Sequence, residues 1–385
     1  MTIDEVRTVC FVGAGTMGCA NSLVAAVSGY DVILNDARDE TLDAVAARHE
    51  GMAGFMVDRA YCSADDITAA RARVSLIADL RQATSKADLV SESVFEALDL
   101  KREIHRQLDD VSPGTTILTT NTSSLLVSEI EDVVQRGDRF AALHSHLGSP
   151  LFDIVGGPRT TPKTIDILRR YVLSVGGVPL VLKKENPGYV FNAMNGPVLA
   201  MALRLVLHER ASMQEVDRAW MSDRGAPFGP FGMMDLFGLD LILDSWRRPS
   251  ADPSREVLRA RVLPFLTRYV EKGKLGLKSG RGFYQYPDPE FQKPTFLGSE
   301  PNSPAVSGAL LSALVCSAIS LAANDVAEPD QIDLAWTAAT GLEVGPFGIL
   351  DQLVSDALLE TLEQQVKAGL LSPEAARAAK THLRA

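Results

Sequence analysis

The sequence predicts an α/β fold, a doubly wound parallel sheet followed by two related all-helical domains. Three observations carry that expectation. The first 184 residues alternate β-rich runs with stretches of helical length, the strand-like texture ends after Lys184, and the helical part repeats itself at an offset of 116 residues.

The β-rich runs stand at Thr8–Val12, Asp31–Leu34, Ala87–Val94, Thr115–Thr119, Phe140–His144 and Val178–Leu182, with helix-length stretches such as Ala97–Leu108 between them. Strands alternating with helices imply parallel pairing with both faces covered. Asn186-Pro187-Gly188 punctuates the change of texture, and Tyr189–Glu209 reads as a long, mostly apolar helix. The break-rich stretch Gly273–Pro304 then separates two helical regions. Val216-Asp217-Arg218-Ala219-Trp220 aligns with Ile332-Asp333-Leu334-Ala335-Trp336, and Gly229-Pro230-Phe231-Gly232 with Gly345-Pro346-Phe347-Gly348. Nine of the 20 positions from 216 to 235 are identical without a gap, which is a duplication. The expected domains are residues 1–184, 185–297 and 298–385.

Composition narrows the function. The 385 residues include 38 Lys plus Arg and 49 Asp plus Glu, a net charge of −11, which argues against nucleic acid or an anionic membrane as partner. No uninterrupted apolar run reaches the roughly 18–20 residues of a membrane span. The opening residues carry two acids, Asp4 and Glu5, and lack the features of a secretory signal. Cys10, Cys19, Cys62 and Cys316 are scattered, so neither a disulfide framework nor a metal site is expected. The expectation is a soluble, cytoplasmic protein.

Val9-Cys10-Phe11-Val12 runs directly into Gly13-Ala14-Gly15-Thr16-Met17-Gly18 and then an apolar helix. This is GxGxxG in the strand-to-helix context that a dinucleotide requires. Gly13 permits the turn, Gly15 the approach of a pyrophosphate, and Gly18 close helix–strand packing, while Thr16 and Met17 open the helix whose amides face the anion. Asp36 follows Gly18 by 18 residues, at the end of the second strand, placed to accept hydrogen bonds from the adenosine ribose. A carboxylate there repels a 2′-phosphate, which favours NAD over NADP, although Arg38 lies close by.

Further stretches resemble the 3-hydroxyacyl-CoA dehydrogenase family. They are Ala87-Asp88-Leu89-Val90, Val94-Phe95-Glu96, Leu100-Lys101-Arg102-Glu103, Asn121-Thr122-Ser123-Ser124-Leu125 and Arg139-Phe140-Ala141-Ala142-Leu143-His144. Asn186-Pro187-Gly188-Tyr189-Val190-Phe191-Asn192, the GPFG segment at 229–232 and the Gly273–Tyr284 segment complete the series. The resemblance implies NAD-dependent hydride transfer at a 3-hydroxy group, with His144 as general acid/base. It implies that Ser123 and Asn192 face the reacting oxygen, that Asn121 touches the nicotinamide end, and that Glu96 and Lys101 line the cofactor. At the 116-residue offset the counterpart of Asn192 is Gly308, so the second copy lacks that amide.

One stretch departs from the family pattern. After its histidine the family carries Asn-Pro and, further on, a glutamate partner. Here His144-Ser145-His146-Leu147-Gly148-Ser149-Pro150-Leu151-Phe152-Asp153 has no such Asn, a shorter loop, and Asp153 as the best carboxylate. Asp153 is the candidate to orient His144, and His146 is a rival base. Arg48, Arg59, Arg71 and Arg73 occupy the region where relatives place basic residues against CoA, without establishing or excluding it. The leading expectation is an NAD-dependent dehydrogenase of a 3-hydroxyacyl thioester. A dehydrogenase of a free hydroxy acid, alcohol or aldehyde, and a non-catalytic NAD-binding protein, are the alternatives. Because a second helical copy could replace a partner subunit, a monomer or a homodimer is expected.

Overall fold

The structure, a computed structural model, describes residues 2–59, 61–250, 253–298, 303–352, 355–367 and 373–382. Parts of the expected 298–385 domain and of the Gly273–Pro304 stretch therefore lie outside the described residues. The chain divides into two compact units. One holds Met1–Val190 with Asp325–Gln331 and Ala338–Thr340, and the other holds the remainder.

The first unit is built on one eight-stranded sheet. Its strands are β1 (Thr8–Val12), β2 (Asp31–Asn35), β3 (Val74–Leu76), β4 (Leu89–Glu92), β5 (Ile117–Thr120), β6 (Phe140–Ser145), β7 (Leu151–Gly156) and β8 (Val178–Val181). Their order is β3-β2-β1-β4-β5-β6-β7-β8, so the direction of winding switches between β1 and β4. Val9, Phe11, Leu34, Leu89 and Ile117 are buried with the apolar face of helix Thr16–Val27, as expected for strands covered by helices.

All neighbouring strands run parallel except β6 and β7, which are antiparallel. The sequence expectation of a parallel sheet is corrected there. Leu147-Gly148-Ser149-Pro150 closes a tight hairpin, with Gly148 at φ +75° and the Ser149 amide donating to the His146 carbonyl at 3.1 Å. Neither β3 nor β7 was among the expected strands. β3 has only three residues, and β7 follows so closely on β6 that no helix-length spacer separates them.

The second unit is helical, and the repeat is visible element by element. Helices Met213–Arg224 and Pro329–Thr340 occupy matching positions at the 116-residue offset, and helices Phe191–Leu207 and Pro304–Ala323 end at matching positions. In each copy an aspartate caps the short helix that opens at the Gly-Pro-Phe-Gly motif. Asp217 accepts from the amides of Phe231 and Gly232 at 2.8 and 2.9 Å, and Asp333 from those of Phe347 and Gly348, both at 2.8 Å. Trp220 and Trp336 meet edge to face at 6.2 Å.

Helix Pro304–Ala323 corrects a second expectation. Its 20 residues are long and apolar enough, by length and composition, to cross a membrane. Ser307, Gly308, Ser312, Ser317 and Ser320 interrupt the apolar run, which is why a contiguous-run reading passes over it. Val306, Leu310, Leu314, Val315, Ile319 and Leu321 are buried in the helical unit, and that packing accounts for the composition.

Candidate active site

The glycine turn after β1 is built for close approach. Gly13 has φ +100°, and a Cβ on it would stand 2.6 Å from the Ser93 carbonyl oxygen. A Cβ on Gly18 would fall 1.8 Å from the Gly13 oxygen, whereas Gly15 has open space where its side chain would be. Helix Thr16–Val27 begins with no side-chain cap, so its first amides are left for an anion. Asp36, at the end of β2, accepts from the Ala14 amide at 3.1 Å and pairs with Arg38 at 3.5 Å. An uncapped helix start, an open Gly15 and a carboxylate on the adjacent strand fit the pyrophosphate and adenosine ribose of NAD.

His144 lies near the carboxyl end of β6, directly opposite Asp153 on β7. The tight hairpin thus places the two side chains on one face of the sheet. His144 Nδ1 is 3.0 Å from Asp153 Oδ2, and His146 Nε2 reaches the same oxygen at 2.8 Å. His144 and Asp153 are buried, Asp153 wholly so, and His146 is partly buried. Burial would raise the Asp153 carboxyl, but the hydrogen bonds from His144 and His146 outweigh it and hold the group below its usual range. An ionised carboxylate only accepts, so each ring donates through the nitrogen that faces it. In neutral His144 that leaves the lone pair on Nε2. Burial first, then the neighbouring His146 ring, hold His144 below the ordinary histidine value against the pull of Asp153 and Glu96.

The donor atoms of His144, His146 and Asp153 lie within 4.8 Å of one another, a grouping that the sequence reading, which expected no metal, did not consider. Oδ2 already accepts from both rings, so the trio forms one hydrogen-bonded unit.

The loop after β5 is organised by Glu96. Its Oε1 accepts from the Thr122 hydroxyl at 2.6 Å, the Ser123 and Ser124 amides, both at 2.9 Å, and the Ser124 hydroxyl at 2.8 Å. The Ser123 hydroxyl is 3.4 Å from the same oxygen. Asn121 Oδ1 accepts from the Ser145 amide at 2.8 Å and so joins the ends of β5 and β6. Lys101 is buried and bridges Glu92 at 2.6 Å and Glu96 at 3.4 Å. Thus Glu96, Lys101, Asn121, Ser123, His144 and Asp153 all belong to the sheet unit. Asn192 belongs to the helical unit, half-buried in the first turn of helix Phe191–Leu207.

Two buried residues near these groups escape the sequence reading. Glu92 is fully buried and also accepts from the Thr120 hydroxyl at 2.7 Å, the Val94 amide at 2.7 Å and His105 at 3.2 Å. Its signal was available, an acid closing an apolar strand at its carboxyl end, where ligands of such sheets bind. Tyr189 has a left-handed backbone, φ +51°, and its ring lies 5.3 Å from that of His144. Of the arginines considered for CoA, Arg48 donates to the carbonyls of Ala14 at 2.8 Å and Thr41 at 3.1 Å, and Arg71 pairs with Glu50.

A glycine turn suited to a dinucleotide and a buried histidine–carboxylate pair in the same sheet fit one class, an NAD-dependent oxidoreductase. The NAD-binding domain model of 3-hydroxyacyl-CoA dehydrogenase matches residues 8–185, and the C-terminal domain model of the same enzyme matches twice, at 188–286 and 306–383. The chain belongs to the 3-hydroxyacyl-CoA dehydrogenase family. The mitochondrial hydroxyacyl-coenzyme A dehydrogenase of Rattus norvegicus is 33% identical over 294 residues, spanning 73% of this chain and 91% of the relative. A solved diketoreductase, described as acting on dicarbonyl compounds, is 33% identical with a TM-score of 0.67, over 73% of this chain and 99% of the other. The 3-hydroxybutyryl-CoA dehydrogenase of Escherichia coli K12 shares the fold over 99% of both chains, with a TM-score of 0.80 and 22% identity.

Proposed function

We propose that this chain interconverts a 3-hydroxyacyl-CoA and its 3-keto form, with His144 as general acid/base. The supporting observation is the buried His144–Asp153 pair, Nδ1 to Oδ2 at 3.0 Å, at the carboxyl end of a strand in the nucleotide-binding sheet. NAD, held by the glycine turn and Asp36, would supply the hydride acceptor for the carbinol carbon. His144 Nε2 takes the hydroxyl proton in oxidation and returns it in reduction, while Asp153 fixes the ring and stabilises its cation. Ser123 supplies a donor to the reacting oxygen. Gly13, Gly15, Thr16, Met17, Gly18 and Asp36 hold the dinucleotide, and Glu96, Lys101 and Asn121 shape its nicotinamide end.

Residues 1–184 form the nucleotide domain in this reading, 185–297 the helical domain and 298–385 its copy. Gly308 stands where the first copy has Asn192, and a Cβ there would press Thr361 Cγ2 at 3.0 Å. Packing thus occupies the position in the second copy. We assign the protein to the cytoplasm, as a monomer or homodimer.

The test is NADH formation from a panel of 3-hydroxyacyl-CoA thioesters and the matching free hydroxy acids. The expected result is kcat/KM at least about 100-fold higher for a thioester, since remote binding energy is expressed in turnover. Equal or greater activity on the free acids would overturn the thioester assignment. NAD binding without turnover on any of them would overturn the enzymatic one.

A further inference from the structure

We propose that His146 is a positioning residue for the reaction: by donating to the carboxylate oxygen that also holds His144, it limits that oxygen's grip on His144 and keeps the base neutral. The proposal rests on the reading of His144 as general acid/base.

The geometry comes from the hairpin. His144 lies near the end of β6 and His146 just beyond it, two residues on, and Asp153 stands opposite His144. Both rings therefore converge on one atom, Asp153 Oδ2, at 3.0 and 2.8 Å, while Oδ1 is buried with no partner among the described residues. The rings meet edge to face at 4.4 Å. A carboxylate oxygen that accepts two N–H bonds divides its charge between them, and each imidazolium is stabilised less than it would be alone. Oxidation of a hydroxyl needs the unprotonated ring, so weakening the carboxylate's pull extends the working range of the base to lower pH. The short loop has a consequence of the same kind. It aligns Asp153 with His144 in register and also brings the residue two places later within reach of the same oxygen.

The other groups that face this unit are fixed by the fold. Glu96 comes from the segment after β4, with Lys101 bound to it at 3.4 Å. Tyr189 comes from the turn before the helical unit and feels Asp153, Glu96, Glu185 and Glu92.

The test uses the full-length protein in three forms: unsubstituted, His146→Phe and His146→Gln. The His144 ring is followed by nitrogen-15 NMR against pH, alongside the pH profile of kcat/KM for NAD-dependent oxidation of 3-hydroxybutyryl-CoA. With His146→Phe, the His144 midpoint should rise and the acid limb should rise with it. At a pH on that limb kcat/KM falls about tenfold, while the plateau at higher pH changes by less than about threefold. His146→Gln, whose amide can donate to Oδ2, should restore both positions. An unmoved midpoint in His146→Phe, or one that Gln fails to restore, overturns the proposal alone. A midpoint that moves while the acid limb stays removes His144 as the base, and the proposal falls with that reading. A uniform loss of rate at every pH with an unmoved midpoint marks a structural role and also overturns it.

Discussion

Two buried carboxylates in the same sheet face histidines, and they are satisfied in opposite ways. Glu92 accepts from an ammonium, a hydroxyl, an amide and His105, with donors on both of its oxygens. Asp153 accepts from two imidazoles on one oxygen, and its Oδ1 has no partner among the described residues. The counter-ion makes the difference. Lys101 neutralises Glu92 with a fixed charge, and the group is held down to about 2 although burial opposes it. Asp153 has only titratable partners, so its neutralisation moves with a proton. The first arrangement is a closed structural ion pair, and the second is suited to proton transfer. A buried histidine beside a carboxylate is therefore insufficient to mark a site, and the donors that complete the carboxylate decide between the two.

The comparison is tested most severely by removing the two histidines in turn. His144→Ala should lower kcat/KM by about 10²- to 10⁴-fold with NAD affinity retained, because general acid–base transfer contributes that much. His105→Ala should leave the rate per folded molecule near the unsubstituted value. Steady-state kinetics with titrated NAD binding reads both, and a loss in His105→Ala that equals that in His144→Ala would end the distinction.

Removing Lys101 probes the structural centre. Lys101→Met leaves Glu92 buried without its ammonium, and breaking a buried pair from one side costs about 3–5 kcal/mol. Denaturant unfolding of the whole chain should show that loss. A cost below about 1 kcal/mol would mean that Glu92 is neutral or hydrated in the folded state, and the contrast with Asp153 would disappear.

How far each centre was legible in the sequence follows from the same physics. The nucleotide turn is local, since strand, glycine turn and helix lie within Val9–Val27, with Gly13 and Gly18 set by close backbone contacts and Gly15 left open. The duplication was legible because Asp217 and Asp333 cap helices 14 residues downstream through identical motifs. Glu92 was hidden because its partners stand 9, 13 and 28 residues away. Lys101 in Leu100-Lys101-Arg102-Glu103 looks like part of a solvated helix face, and only the fold reveals that it is buried. Asp153 entered through resemblance, but the residues do not announce a hairpin, and the expected parallel sheet gave no reason to place it opposite His144. His146 was weighed as a rival base. Its bond to Asp153 depends on strand register, which a one-residue slip would invert.

The smallest effect concerns the aromatic ring beside each histidine. His105 is backed by Phe140 at 4.9 Å and His144 by Tyr189 at 5.3 Å, so the two centres differ here by one hydroxyl. That hydroxyl is buried and has no hydrogen-bond partner among the described residues, and burial first, then Asp153 and Glu96, push it well above the ordinary tyrosine value. A buried hydroxyl left unsatisfied costs about 1–3 kcal/mol, so deleting it should not weaken the fold. Tyr189→Phe is expected to unfold at the same denaturant concentration or a higher one, by up to about 1 kcal/mol, and to retain kcat/KM within about threefold. The φ of +51° is retained in the variant, because phenylalanine meets the same backbone restriction as tyrosine. A loss of more than about 1 kcal/mol would show that the hydroxyl is satisfied in solution. The aromatic rings behind the two histidines would then differ by a hydrogen bond and not by a bare hydroxyl.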